Sequence, residues 1–419
     1  MLPSQVKINY VYIIADQGRI MDASLIFTNM RIRESMDMAA INGDIVIQDD
    51  NNHYEILPIV GQEQIQISFE AGDIESVVTG FVYKIGDFKK IDGRRTQYTL
   101  YFVSMEQYFN QNNRVRRSYT NLPPSDIIHD ILNNDIVSEK KVLIEAMDGN
   151  ISYLAPNITP FKAVNQVLKL STSSHNGTSN FVFFENRIGF IVASLASLLT
   201  QQPDPLITYG YSEYIGTDNQ ETTGNITNYL TIEDFKVLKQ TDTLDALTNG
   251  MFKSELHTID LLTRTTKKYE YDYFKEFSSF NHMNKHPLYK DLQQVSDSAE
   301  GSQYFNYTNE GALDNTYVKN NQSDMNVELS SKTRLRRIIQ NNMLDAYVFR
   351  LVIPGNIALH PSNIININIT SNRSGEEDNM LSGKVMITSI AHVIGGASRT
   401  YRQVIETVKD SHNKGISSV

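Results

Sequence analysis

The chain says one thing twice. Residues 381–410, LSGKVMITSIAHVIGGASRTYRQVIETVKD, read as a β-hairpin with two apolar-rich arms around Gly395 and Gly396. Some three hundred residues earlier, residues 77–104 run VVTGFVYKIGDFKKIDGRRTQYTLYFVS. With Gly80 laid on Gly383, an offset of 383 − 80 = 303, Val82 meets Val385, Ile91 meets Ile394, Gly93 meets Gly396 and Tyr98 meets Tyr401. Upstream, QIQISFE (64–70) matches IININ and Ile369, both alternating apolar with polar as half-buried strands do. YEILPIVG, ending at Gly61, corresponds to YVFRLVIPG, ending at Gly355, each read as a strand entering a turn.

Earlier still, SMDMAAING (35–43) resembles DTLDALTNG (242–250) at an offset of 250 − 43 = 207. Ser35 or Asp242 can cap a short helix, and Gly43 or Gly250 can end it. The change of offset, 303 − 207 = 96, places an insertion in the second copy between MFKSELHTID and DAYVFRLVI. Two mainly β units of about a hundred residues each follow. A twisted sheet of that size curls into a barrel or sandwich to bury one face.

The segment between the copies has a different rhythm. PPSDIIHDILNN places Ile127, Ile128, Ile131 and Leu132 on one helical face. TPFKAVNQVLKLS offers Thr159 as N-cap and Pro160 at the first helical position, followed by a stripe of Phe161, Val164, Val167, Leu168 and Leu170. NFVFFENRIGFIV reads as a hairpin turning at Glu185–Arg187. This is an α+β pattern. The expected organisation is therefore 1–115, a first β-barrel; 116–205, an α+β domain; 206–259 with 346–410, a second barrel; 260–345, an insertion in it; and 411–419, a C-terminal tail. The insertion opens with KKYEYDYFKEF and carries Tyr289, Tyr304, Tyr307 and Tyr317, which suggest a surface that folds against partners. It closes with SSKTRLRRIIQNNMLDAY, a helix with Leu335, Ile338, Ile339 and Met343 inward.

Composition narrows the function. The 419 residues include no cysteine, which excludes disulfides, thiolate nucleophiles and cysteine-bound metal. A net charge of −10 argues against gripping a nucleic-acid backbone, though not against letting DNA pass nearby. No apolar run approaches the ~20 residues of a membrane helix, so no membrane span is expected. MLPSQVKINYVYII lacks the features of a signal peptide, so export by the usual route is not expected.

The order barrel, α+β domain, interrupted barrel resembles the central baseplate hub of contractile, myovirus-type phage tails, the tube-to-spike adaptor family. PNITPFKAVNQVLKLS with FVFFENRIGF is similar to that family's Pro-Phe helix start and aromatic strand reaching a Glu-Asn/Arg-Gly turn. VIPGNIALHPSNIININI and the closing hairpin with Tyr401 and Val408-Lys409-Asp410 also fit, while Ser362-Asn363 departs from the family's usual glycine. The resemblance implies a mainly β fold with α+β inserts, in which two tube-type barrels share one chain.

It further implies a homotrimer of pseudo-six-fold symmetry, joining a six-fold tail tube or tube-initiator protein to a trimeric central spike. Tape-measure protein or DNA would pass through the lumen, and other baseplate proteins would surround it. The implied location is the virion baseplate, assembled in the host cytoplasm. Two other readings stay open: a component of a non-phage contractile injection system, and a glycan-binding or glycan-cleaving virion-tip protein.

Catalytic signatures point nowhere in particular. HMNKH (282–286) has the four-residue histidine spacing of zinc helices but no glutamate after the first histidine, and Pro287 follows; it reads as a polar surface loop. GEED (375–378) reads as solvated charges in a hairpin loop rather than a glycosidase pair. No nucleotide-binding or hydrolase motif is present. The expectation is no enzyme and no cofactor or metal. RVRR and RLRR are the two dense basic runs. Arg114, Arg116, Arg117, Arg334, Arg336 and Arg337 are read either as solvated helix or linker charge or as subunit-interface residues that meet carboxylates on neighbouring subunits.

Overall fold

The period-two alternation of the first hundred residues becomes a run of strands: β1 Lys7–Ile14, β2 Ile20–Asp22, β3 Phe27–Ser35, β4 Asn42–Asp49, β5 Gln64–Ala71, β6 Ile74–Lys90 and β7 Thr96–Ser104. The structure is a computed structural model that describes residues 5–15, 18–204, 207–211, 230–260, 265–290, 302–307, 337, 339–371 and 377–415. Side by side the strands run β3-β4-β7-β6-β5-β1-β2. Val11 and Ile13 on β1 share one core with Met30 and Ile32 on β3, although four strands separate them in the sheet. The sheet therefore curls round its apolar face into a barrel-like shell.

The middle segment contributes β8 Ser118–Leu122, β9 Lys141–Ile144, β10 Met147–Asp148, β11 Ile151–Leu154, β12 Thr172–Ser173, β13 Phe181–Asn186 and β14 Gly189–Ser194. Its two main helices are where the apolar stripes put them. Pro124–Ile131 buries Ile127, Ile128 and Ile131, and Leu132 follows in a single wider turn. Pro160–Leu170 buries Phe161, Val164, Val167 and Leu168 against Phe183 and Phe190. Leu170, in the last turn, is 48% exposed and leaves the stripe. The β13–β14 hairpin turns at residues 187–188, because Asn186 Oδ1 accepts from the amides of Ile188 and Gly189; Glu185 stays inside the strand.

The second copy contains β15 Thr208–Tyr211, β16 Asp234–Lys239, β20 Tyr347–Pro354, β21 Ile364–Ile369, β22 Gly383–Gly395 and β23 Tyr401–Lys409. Its strands run β16-β20-β23-β22-β21-β15, the order of β3-β4-β7-β6-β5-β1. One pair differs: β1 is antiparallel to β5, whereas β15 is parallel to β21. The duplication is thus a duplication of topology.

The ladders also correct the register. In the first copy Val82 faces Phe102, a bulge follows, and Lys84 faces Tyr101. In the second, Ile387 faces Thr407, a bulge follows, and Ser389 faces Glu406. The equivalence is 387 − 82 = 305 on one strand and 407 − 102 = 305 on the other, two residues from the glycine-on-glycine overlay. A shift of two keeps every side chain on its own face, so the alternation cannot reveal it.

Two segments were matched to the wrong partners. Gly43 of β4 faces Phe102 as Phe349 of β20 faces Thr407, so NGDIVIQDD is the counterpart of YVFRLVIPG. YEILPIVG instead forms the short helix His53–Ile56 and a turn. MFKSELHTID supplies β17 Lys253–Asp260, which pairs with β18 Thr265–Asp272 and β19 Ser302–Tyr307 in a separate three-stranded sheet. The extra chain of the second copy therefore sits between β16 and β20.

Between the ends of β3 and β4, residues 36–41 make a turn rather than a helix, with Ser35 Oγ accepting from Asp37 N, since six residues leave little room between the strands. Its counterpart, Thr243–Thr248, is a helix capped by Asp242 and ended at Gly250 with φ 66°.

Within the insertion the aromatic run faces inward. Tyr269, Tyr271 and Tyr273 form a core with Met251, Phe252, Ile339 and Met343, and Tyr289 packs edge-on against Phe252. HMNKH is no surface loop. His282 stacks on Phe277 and bonds Asp410, Met283 is buried, and the backbones of His286 and His412 pair. Leu335, Ile338 and Tyr317, and Gly375 and Glu376 of GEED, lie outside the described residues. Among the described residues no helix is long and apolar enough to cross a membrane.

Candidate functional site at the junction of the two barrels

β22 is longer than a hairpin arm needs to be, and its two halves have different neighbours on the same edge. Residues 383–386 pair with β21, while residues 389–395 pair with β3 of the first barrel, from Ser389 opposite Ser35 to Gly395 opposite Asn29. The two shells are therefore one continuous sheet. The hairpin tip beyond β22 is docked as well. A Cβ on Gly396 would lie 1.8 Å from the Phe27 carbonyl oxygen, so glycine lets the two backbones touch. Arg399 Nη2 donates to Ser24 O at 3.0 Å and its guanidinium lies 5.5 Å from the centre of the Phe27 ring.

Behind this seam sits a buried polar cluster drawn from all three parts of the chain. Alternation places Glu34 on the inward face of β3 after Met30 and Ile32, and His392 inward on β22 between Ile390 and Ile394. Arg187 reaches them from the β13–β14 turn. Its Nε donates to Glu34 Oε1 at 2.7 Å, its Nη1 to Ser76 Oγ at 3.3 Å, and its Nη2 to the carbonyls of Ile357 and Leu359 at 2.5 and 3.1 Å. His392 Nε2 lies 3.0 Å from Glu34 Oε1, and Nδ1 lies 2.7 Å from the Tyr401 hydroxyl.

Burial alone would raise the Glu34 pKa. Hydrogen bonds from His360 and His392, with the charge of Arg187, instead hold it well below the usual carboxylate range. Burial pushes His392 down. The cluster is thus an ion pair plus a neutral imidazole that donates from Nε2 to Glu34 and accepts at Nδ1 from Tyr401. The cluster ties β3, the middle domain and β22 together.

A second tie fixes the middle domain to the first barrel. Glu185, fully buried, accepts from Ile41 N at 3.0 Å and Ser104 Oγ at 2.6 Å, and Lys140 bridges it to Glu106. Burial raises the Glu185 pKa, and Lys140 works against that rise. Among the described residues, no group of three or more His, Asp or Glu could hold a metal ion.

The arginines read from sequence do not gather at the seam. Arg114 donates to the carbonyls of Gln111 and Asn113, Arg116 to Asn157 Oδ1, and Arg117 pairs with Asp130 and Asp135. All three stand at the entrance to the middle domain. Arg337 is itself helical, as are residues 339–344, and Arg334 and Arg336 lie outside the described residues. The seam residues Glu34, Arg187 and His392 were missed, although a charge or an imidazole at an inward position of an alternating strand is a readable signal.

No family model matches the sequence, and no curated protein matches it. Solved structures do. The tail protein from Neisseria meningitidis superposes with a TM-score of 0.59 at 11% identity, covering 96% of each chain. The 43 kDa tail protein of prophage MuSo2 from Shewanella oneidensis gives 0.58 at 11% identity, covering 96% of this chain and 99% of that one. This chain has the tail-protein fold. The mainly β architecture expected from the hub resemblance is therefore present, and the likeness covers 96% of this chain in both comparisons.

Proposed function

We propose that the chain is the structural hub of a contractile-tail baseplate. Three copies form a ring of pseudo-six-fold symmetry that joins a six-fold tail tube on one face to a three-fold central spike on the other. The observation that carries this reading is the repeated strand order, with the two repeats joined edge to edge through β22 and β3. Three such chains present six equivalent shells, which lets a trimer match a hexamer without any catalytic group.

In this reading the hub sits in the virion baseplate, is assembled in the host cytoplasm, and leaves a bore through which tape-measure protein or DNA passes. The net charge of −10 suits such a bore, because phosphates are not held by an acidic wall. Arg114, Arg116, Arg117, Arg334, Arg336 and Arg337 are assigned to contacts with neighbouring subunits or surrounding baseplate proteins. The role is structural and not enzymatic.

Light scattering on the purified chain tests the reading: a mass of three protomers supports it. A monomer at every concentration, or a monomer that cleaves peptidoglycan or capsule, would overturn it.

A further inference from the structure

The seam inside the chain is a template for a seam between chains, and this inference rests on the hub reading. β22 uses one edge twice, residues 383–386 for β21 and residues 389–395 for β3. β6 is its counterpart at the 305 offset. Residues 74–81 pair with β5, and Val82 N still bonds Glu63 O. From Lys84 to Lys90, the same edge has no partner strand among the described residues. With the extra residue of the Gly86/Lys89 bulge counted, Lys90 facing Thr96 is the counterpart of Ile394 facing Tyr401, so the stretch ends one residue short of the end of β22.

The strand β6 lacks has a counterpart too. β3 corresponds to β16, because Met30 faces Ile45 as Phe235 faces Leu351. β16 closes one end of the whole sheet, and its outer edge is likewise unpaired among the described residues. Apolar side chains stand exposed on both edges: Tyr83 and Phe88 at 54% and 49% on β6, and Leu238 at 45% on β16.

We propose that Lys84–Lys90 of β6 in one protomer pairs antiparallel with Asp234–Lys239 of β16 in a second copy of this chain. Three intermolecular β6–β16 seams then alternate with three intramolecular β22–β3 seams around the ring. The arrangement covers two edges that have no partner strand among the described residues and that would otherwise be open to indiscriminate pairing. It also predicts the docking of the 91–95 hairpin tip on the neighbour's second barrel, as residues 396–400 dock on the first.

The absence of cysteine makes the test clean. Cysteine is introduced at Phe88 and, in three separate double variants, at Phe235, Lys236 or Val237, which covers the residue-scale shifts from the bulges at Gly86/Lys89 and Val237/Lys239. Each full-length variant is oxidised, then run on a non-reducing gel beside light scattering of the unoxidised protein. The single Phe88→Cys variant and a Phe88→Cys/Leu25→Cys variant are controls, Leu25 being 88% exposed in the turn between β2 and β3.

The expected result is covalent dimers and trimers in at least one β16 double variant and in neither control. Trimers by mass with no β16-dependent cross-link would overturn this seam and leave the hub reading standing. Monomers by mass with no cross-link would overturn both.

Discussion

The far halves of β22 and β6 are the same strand in two circumstances. Beyond the shared bulge, residues 389–395 lie between β23 and β3, with Ile390, His392 and Ile394 buried. Among the described residues, residues 84–90 have β7 as their only partner strand, and Lys89 and Lys90 are exposed. The difference extends to the tips. Gly396 is pressed against the Phe27 backbone, whereas a Cβ on Gly93 would meet nothing within 4 Å. The same strand is thus covered on both edges in one repeat and, among the described residues, on one edge in the other.

The polar cluster gives the largest contrast. Arg187→Ala leaves the Glu34 carboxylate buried without its ion partner, which costs about 3–5 kcal/mol. Arg95→Ala at the bare tip removes only the exposed Asp92 pair and should leave the melting temperature unchanged. Equal melting temperatures for the two variants would break the comparison.

Next comes the strand itself. Ile394→Ala empties a packed site and should cost about 2–5 kcal/mol. Its ladder counterpart is Lys90, which faces Thr96 as Ile394 faces Tyr401. Lys90→Ala should change the stability of the monomer by less than about 0.5 kcal/mol, read from urea midpoints. The glycines are a smaller version of the same test. Gly396→Ala forces the Phe27 backbone aside at about 1–3 kcal/mol, while Gly93→Ala is tolerated.

The smallest effect is that of pH on the covered side. His392 is held below its ordinary 6.5, so the folded state binds fewer protons there and stability falls as pH drops below 6.5. Glu34 is held below its ordinary 4.5, so its contribution is complete above 4.5 and is lost as pH falls further. Each group contributes a slope of at most about 1.4 kcal/mol per pH unit. Urea midpoints at pH 7.5, 5.5 and 4.0 should decline in that order, and His392→Gln should flatten the first interval. A flat wild-type profile would contradict the assignment.

Much of this was legible beforehand. The repeat, the middle-domain helices and the closing hairpin follow from periods of 2 and 3.6, which report which face is buried. Register was not legible, because a two-residue slip leaves the faces unchanged. YEILPIVG was misread because its apolar residues resemble a strand, although Asn52 in a left-handed conformation and Pro58 break it into a helical turn. The insertion's tyrosines were placed outward because polar neighbours dominate their composition; packing around Phe252 and Met343 turns Tyr269, Tyr271, Tyr273 and Tyr289 inward. Glu34, Arg187 and His392 come from three separate stretches, and only the fold brings them together.

The central claim is that one chain carries two interchangeable shells so that three chains build a six-part ring. Electron cryo-microscopy of the purified oligomer measures this directly. The account predicts a three-fold particle with six β-shells around a bore, successive shells related by rotations of about 60°. A particle in which first and second shells lie at different radii, or in which only one shell per chain lines the bore, would contradict it.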